Sequence, residues 1–422
     1  MKMKRSAEVI QAEANALKDQ MIKDRRQLHK FPEIGMDLPK TSAYIKKRLD
    51  EMGIPWKDCG GRIPEQVTKD FIQAGFPKME KETGVTALIG HGNPCILLRA
   101  DMDALPIKEC SDLPYASCNG AGHMCGHDSH AAMLLGAAAI LKKMEGNLKG
   151  SVKLMFQPGE ETGAGARQMV EDGLLEQPKV DVAFGMHVQT VDHTGHVGYA
   201  VGVNSASLDT FILKIRGKGG HSSQPQLCVD PLMIMNQIYQ AVNLLATREA
   251  DPAAMVALTC GVAKGGTAVN IIPDEAELHI GLRTLDVTAA DHLKKRIPEI
   301  IDHYVKAWNG EYDLTVFHTP CTYSDEELCK ELVPAIGDIT GADRIRQIPA
   351  MTGTEDFGYV TKEVPGMFVF VGAGAPGNAP LHSPKMVLDE DVLPLGAAIY
   401  ANTAVQWLEK HGDIQKGGWE NE

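Results

Sequence analysis

Polar and apolar positions repeat with a helical period from about Ala7 to His29, and Phe31-Pro32 stops that run. A second helix is predicted from Pro39 to Met52. Residues 57–83 then lose periodicity, with Cys59-Gly60-Gly61 and Ile63-Pro64 as breakers and one short helix near Glu65 to Ala74. Short apolar runs bounded by turn residues follow at Cys95–Ala100, Val152–Phe156 and Val180–Gly185. Helical stretches lie between them at Ala131–Met144 and Gly165–Asp172. Strands alternating with helices predict an α/β domain around a mostly parallel sheet.

The pattern changes near Asn204. Leu208–Arg216 alternates as a half-buried strand, and a helix follows over Asp230–Thr247. Strands at Met255–Val262 and Glu275–Arg283 flank the Gly265-Gly266 turn region. A helix at Ala289–Trp308 and a strand at Tyr312–His318 complete a β-α-β-β-α-β order, the ferredoxin-like arrangement. This predicts an α+β domain inserted at 207–318 into an α/β domain formed by 1–206 and 319–422. The α/β pattern resumes with a strand at Met367–Val371 and a helix at Val392–Glu409. No internal repeat is evident.

A chain of 422 residues fits two domains better than one core. Its 44% hydrophobic and 23% charged content is that of a globular protein. The net charge of −13 gives no overall attraction for nucleic acid or an anionic membrane, so neither is expected as a partner. No apolar run reaches the ~18 residues that a membrane span needs. The basic start Met1-Lys2-Met3-Lys4-Arg5 leads into a polar helix without a signal-peptide core. Nine scattered cysteines with no C-x-x-C pair suit reduced thiols, so a cytoplasmic enzyme is expected.

In open α/β sheets, ligands bind beyond the carboxyl ends of the strands. Asp101-Met102-Asp103 follows the first apolar strand and Gln157-Pro158-Gly159-Glu160-Glu161 the second. Met186-His187 follows the third, and a glycine-rich loop to Leu381-His382-Ser383-Pro384 follows the strand at 367–371. The loop Met124-Cys125-Gly126-His127-Asp128 precedes a helix. Each piece alone has a plainer reading: Asp128 and Ser129 as a helix cap, Cys125 as a buried thiol, Glu160-Glu161 as a solvated pair, His187 as a core histidine. Their arrival on one rim changes the weighting. Several like charges there are costly unless a cation joins them. Thiolate, imidazole and carboxylate together suit Zn²⁺ or another first-row divalent ion, and the donors exceed the needs of one tetrahedral site. Two ions are therefore expected.

With these stretches in view, the chain resembles the dinuclear metallopeptidases that include bacterial aminoacylases, hippurate hydrolases and plant auxin-conjugate amidohydrolases. The likeness also runs through Arg25-Arg26-Gln27-Leu28-His29-Lys30-Phe31-Pro32-Glu33, Gly217-Lys218-Gly219-Gly220-His221-Ser222, Val269-Asn270-Ile271-Ile272-Pro273, Leu282-Arg283 and Gly353-Thr354-Glu355-Asp356-Phe357. Cysteine before Gly-His-Asp is similar to the aminoacylase-like branch, whereas carboxypeptidases and dipeptidases are expected to carry His-x-Asp where Asp101-Met102-Asp103 stands.

The resemblance implies that Cys125, His127, Glu161, His187 and His382 hold two divalent ions, zinc or manganese first and cobalt or nickel next. It implies Glu160 as general base, Asp103 as the group orienting a ligand, and His221 as oxyanion stabiliser, often reaching into a partner subunit. Asn270 and Arg283 would grip the substrate, and the inserted domain would act as lid and homodimer contact. The implied substrates are N-acyl or N-aroyl amino acids. Dipeptides, other peptides with a free α-amine and p-aminobenzoyl-glutamate are alternatives on the same scaffold, and a non-catalytic metal-binding protein is a further one. The glycine-rich Gly372–Gly377 loop is read as site-lining backbone, not as a phosphate loop. Three departures bear on substrate choice: the long 57–83 segment, Gly159 and Thr162 where alanine and glycine are commoner, and Thr354 in place of serine.

Overall fold

The computed structural model describes residues 2–61, 63, 65–73 and 78–412. Two compact units emerge, Met1–Asn204 with Thr322–Pro349 and Asp356–Glu422, and Ser205–Cys321 with Ala350–Glu355. Residues 350–355 thus group with the second unit, whereas the expected boundary placed all of 319–422 in the first. The reason is local pairing: Ala206 N–H donates to the Met351 carbonyl at 3.1 Å and the Gly353 carbonyl at 2.9 Å.

The first unit opens with α1 (Lys2–Ala16), α2 (Lys18–His29) and α3 (Pro39–Glu51). One continuous helix was expected over 7–29. It breaks at Leu17, whose ψ of 0° leaves regular helical geometry. Glu33, from the Phe31-Pro32-Glu33 stretch, accepts the Thr41 N–H at 2.8 Å and so satisfies the first turn of α3. The stretch expected to be irregular holds β1 (Trp56–Cys59), and the short helix expected near Glu65 to Ala74 is α4 (Glu65–Gln73), while Pro64 and Ala74 lie outside the described residues.

Next come β2 (Gly84–Gly90), β3 (Cys95–Asp101), α5 (His127–Met144), β4 (Ser151–Gln157), α6 (Gly165–Glu171), β5 (Val182–His193), β6 (Val197–Tyr199) and β7 (Gly202–Ser205). The unit's later segments supply β14 (Thr322–Ser324), α9 (Glu326–Thr340), β15 (Ile345–Gln347), α10 (Gly358–Thr361), β16 (Gly366–Gly374) and α11 (Val392–His411). The main sheet has the order β1-β2-β4-β3-β5-β16-β6-β15. Its central neighbours β4, β3, β5 and β16 all run parallel. Every residue of β3 and β4 is buried, as expected for strands covered on both faces. Helix α5 is alanine-rich and almost wholly buried, and it shares one apolar core with α1, α2, α11 and the sheet.

The second unit contains β8 (Ser207–Arg216), β9 (Gly220–His221), α7 (Pro231–Arg248), β10 (Val256–Gly265), β11 (Ile271–Ile272), β12 (Glu275–Thr284), α8 (Val287–Ala307) and β13 (Glu311–Thr319). Its antiparallel sheet runs β10-β12-β8-β13, with α7 and α8 packed against it through one apolar core. The ferredoxin-like expectation holds. Asp230 and Asp286 cap α7 and α8 by accepting N–H groups of their first turns.

Candidate metal centre

Parallel alignment of β4, β3, β5 and β16 puts their carboxyl ends on one edge. His187 was expected just past its strand, but it lies within β5 opposite Phe370. Pairing of β5 with β3 ends at Arg99–Gly185, so beyond Gly185 one side of β5 is free of a strand neighbour. That side meets the Cys125-Gly126-His127 loop. Gly126 takes φ +85°, and a Cβ there would lie 2.5 Å from Val188, so only glycine fits.

The five expected ligands converge. Cys125 Sγ lies 3.4 Å from His187 Nε2. His382 Nε2 lies 3.4 Å from Glu161 Oε1, and His127 Nε2 lies 3.9 Å from the same oxygen. Cys125, His127 and Glu161 bring one donor atom each within 4.8 Å of one another. The remaining nitrogens are committed elsewhere: His187 Nδ1–H donates to the Val188 carbonyl at 2.7 Å, and His127 Nδ1 meets Asp103 Oδ1 at 3.2 Å. His382 is held by its own N–H on the Met124 carbonyl at 2.6 Å, in a left-handed conformation of φ +65°.

Asp103 also receives the Glu160 and Glu161 N–H groups, each at 3.1 Å. One buried carboxylate therefore fixes both His127 and the Glu160-Glu161 turn. That turn starts from Gly159 at φ +68°, where a Cβ would lie 2.4 Å from Met36. The glycine at 159 is thus required by this backbone. Glu160 Oε2 stands 3.9 Å from His127 Nε2.

The electrostatics fit a cation. His127 Nε2 and Glu161 Oε1 are buried without a hydrogen-bond partner. Burial opposes charge on His127, yet Asp101 and Cys125 hold its pKa well above the ordinary histidine value. Cys125 and Glu161 beside it raise His382 to about 10. Burial, then His130, pushes His187 well below the usual range, leaving the neutral imidazole that a metal requires. Protons on His127 and His382 occupy the places where cations would bind, so ion binding would release them.

Side chains outside the expected set join this rim. Asp101, His127, His130 and His187 form a second buried group of donors. Behind it, Arg99 is fully buried, 2.8 Å from Asp101 and 3.3 Å from Asp356. On the other side of α5, Asp128 Oδ2 takes Arg25 Nε at 3.1 Å and His29 Nδ1 at 2.8 Å. His29 Nε2 reaches Glu109 at 3.1 Å. Burial opposes its charge, but Asp128 and Glu109 raise His29 to about 9. The Arg25–His29 stretch is therefore an anchor for the residue after His127.

The other expected residues lie in the second unit. His221 is exposed on β9, opposite Ile271 of β11. Its Nδ1 accepts the Ser223 N–H at 3.1 Å, which places the ring proton on Nε2. The neighbouring Ser222 N–H donates to the Asn270 carbonyl at 3.2 Å, so His221 and Asn270 share one two-stranded ribbon. Arg283, on β12, is half-buried and donates to Thr354 Oγ1 at 2.6 Å. Burial lowers its pKa, and no carboxylate pairs with it among the described residues.

Residues 97–406, well over half of the chain, match the profile of peptidase family M20/M25/M40. The chain belongs to that family. As an M20/M25/M40 member it is a metal-binding hydrolase of amide bonds. Over 407 residues it is 35% identical to an IAA-amino acid hydrolase (ILR1-like 4) of Arabidopsis thaliana, covering 94% of this chain and 88% of that one. It is 34% identical to an N-acetyl-L-cysteine deacetylase of Bacillus subtilis, covering 94% and 90%. Thermostable carboxypeptidase 2 of Saccharolobus solfataricus is 32% identical, with 96% and 99% covered. The solved YXEP protein of Bacillus subtilis, described as a dinuclear metal binding peptidase, matches with a TM-score of 0.71 and 29% identity over 94% of this chain and 99% of that one. Among the described residues no helix of this M20/M25/M40 chain is long and apolar enough to cross a membrane.

Proposed function

We propose that this protein cleaves the amide bond of N-acyl or N-aroyl amino acids with two divalent ions held by Cys125, His127, Glu161, His187 and His382. The observation that carries this reading is the convergence of those five side chains with buried, unpartnered atoms on His127 and Glu161. Such ions supply Lewis acidity at the amide carbonyl and at the attacking water. Glu160, on the same turn as Glu161, takes the proton of that water and passes it to the leaving nitrogen. Asp103 keeps the two neighbouring carboxylates in separate roles by fixing their backbone. His221, its Nδ1 spent on Ser223, presents Nε2–H to the developing oxyanion. The guanidinium of Arg283 receives the substrate carboxylate, and Asn270 its carbonyl.

Zinc or manganese fits the mixed thiolate, imidazole and carboxylate donors first, with cobalt or nickel next. We further propose a cytoplasmic homodimer in which the second unit serves as lid and contact. The relatives named for IAA-amino acids and N-acetyl-L-cysteine support an acylated amino acid as substrate. The relative named a carboxypeptidase favours a second reading, cleavage of peptides. Chelated protein resupplied with Zn²⁺, Mn²⁺, Co²⁺ or Ni²⁺ should hydrolyse members of a panel of N-acetyl, N-benzoyl and indole-acetyl amino acids. Unblocked and N-blocked di- and tripeptides are assayed beside them, and cleavage of peptides alone selects the peptide reading. No cleavage with any ion, despite tight binding, overturns catalysis.

A further inference from the structure

By residue type, the buried group Asp101, His127, His130 and His187 is as good a metal site as the one proposed above. Its hydrogen bonds say otherwise for His130. The Val188 N–H donates to His130 Nε2 at 2.9 Å, so that nitrogen's lone pair is spent. The ring proton then sits on Nδ1 and points at Asp101 Oδ1, 2.5 Å away. Asp101 is itself paired with the buried Arg99 at 2.8 Å. Neither ring nitrogen of His130 is left for an ion.

The same bonds give His130 a task. Val188 is gripped twice, its N–H by His130 and its carbonyl by His187 Nδ1–H at 2.7 Å. The His130 and His187 rings meet edge to face, 4.6 Å between centroids. Pairing of β3 with β5 stops at Gly185, and His130 supplies the acceptor that β3 no longer offers. With Val188 fixed and Nδ1 of His187 occupied, His187 Nε2 faces Cys125.

We propose that His130 is a positioning residue of the metal centre and not a ligand: through Val188 it sets the tautomer and direction of His187, while its bond to Asp101 ties that setting to Arg99 on β3. This inference rests on the dinuclear reading above.

The test compares wild type with His130→Leu, which removes both bonds, and His130→Gln, whose amide oxygen keeps an acceptor for Val188. Ion stoichiometry, Zn²⁺ affinity in competition with a chromophoric chelator, the visible spectrum of Co²⁺-loaded protein and thermal midpoint are read for each. A positioning role predicts two Co²⁺ sites in both variants, Zn²⁺ affinity in His130→Leu about 10–100-fold weaker, an altered Co²⁺ spectrum, and substantial recovery in His130→Gln. Loss of one whole ion in either variant overturns the proposal in favour of a ligand role. A lowered midpoint with affinity and spectrum unchanged overturns it in favour of simple packing. If His130→Leu does not fold, His130→Ala takes its place, and in that variant one remaining ion, or an unchanged affinity and spectrum, rejects the idea. Wild type that binds no ion tightly sinks the metal centre itself, a result distinct from these.

Discussion

Two clusters of buried ionisable side chains meet at consecutive residues, His127 in one and Asp128 in the other, and they are built on opposite plans. Around Asp128 the charges are matched: Arg25 and His29 face Asp128, His29 also faces Glu109, and Arg25 reaches Glu390 at 2.8 Å. Around His127 they are not: a thiol, a carboxylate and three imidazoles converge with no arginine or lysine paired to them among the described residues, while unpartnered buried atoms occur in both clusters, on His127 and Glu161 here and on Asp128 and His123 there. Burying an unmatched charge costs several kcal/mol, so an open cluster persists only where something else completes it. The closed cluster holds the fold, and the open one is shaped for a cation.

The sharpest way to break this contrast is to remove the open cluster's chemistry without its contacts. Glu160→Gln should lower kcat by about 10²–10⁴-fold, the usual worth of a general base, while metal analysis finds the ions retained. Unchanged kcat would remove Glu160 from the reaction. The matching cut in the closed cluster is Arg25→Met, which strands Asp128 beside a single partner. It should destabilise by roughly 3–5 kcal/mol in urea unfolding, and a loss under ~0.5 kcal/mol would show that the cluster does not depend on the guanidinium.

The closed cluster also makes a pH prediction. Between His29's ordinary pKa of 6.5 and its folded value of about 9, the folded ring binds more proton than the unfolded one. Its stabilisation is complete below 6.5 and is lost as pH rises to about 9. Asp128, Glu109, Arg25, His123 and Tyr115 are the charged or titratable groups facing it. The contribution is on the order of 3 kcal/mol, and a His29→Gln variant should lack that part of the pH slope. An identical slope in the variant would assign it elsewhere. For the open cluster the corresponding handle is the ion. Chelation should cost about 2.7 kcal/mol if ions were at 100 times their Kd, and Cys125→Ala should be far less sensitive to the chelator.

The contrast also explains what was legible in the sequence. The choice of Cys125, His127, Glu161, His187 and His382 came from the family resemblance, but all five stood in stretches that follow an apolar run or lead into a helix, and parallel strands bring such positions to one edge. The strands β3, β4, β5 and β16 were readable for the same reason. Asp101 stood at a strand end but was not among the implied ligands, and His130 and Arg99 gave no such signal, since the bond that defines His130 goes to Val188, 58 residues away. Arg25 and His29 stood in a noticed stretch, but their partner Asp128 is about a hundred residues distant, and no local pattern announces a charge match. Helix α9 carried a legible cap in Asp325 and acidic residues in its first turn, while Pro334 inside it interrupts the helical pattern. Strand β2 is glycine-bounded, and antiparallel pairing with β4 identifies it only in three dimensions.

Glu82 offers the smallest and cleanest test, because among the described residues it has neither a counter-charge nor a place in a group of metal donors. It is fully buried, and neither carboxylate oxygen has a hydrogen-bond partner among the described residues. Gly60 crosses it so closely that a Cβ would lie 2.4 Å from the carboxyl carbon. Burial, reinforced by Asp356, Asp172 and Glu171, raises its pKa well above the usual carboxylate range. The folded chain therefore keeps a proton that the unfolded chain has lost above its ordinary value of 4.5, and stability declines as pH climbs past that point. Glu82→Gln keeps the shape and abolishes the titration. The expected gain is about 1 kcal/mol, the low end for a buried unsatisfied group. Urea unfolding near pH 4 and near pH 8 should find the variant level with wild type in acid and more stable in base. A gap that stays constant with pH would mean that Glu82 is ionised in the fold, and that an unmatched buried charge can be carried here without an ion.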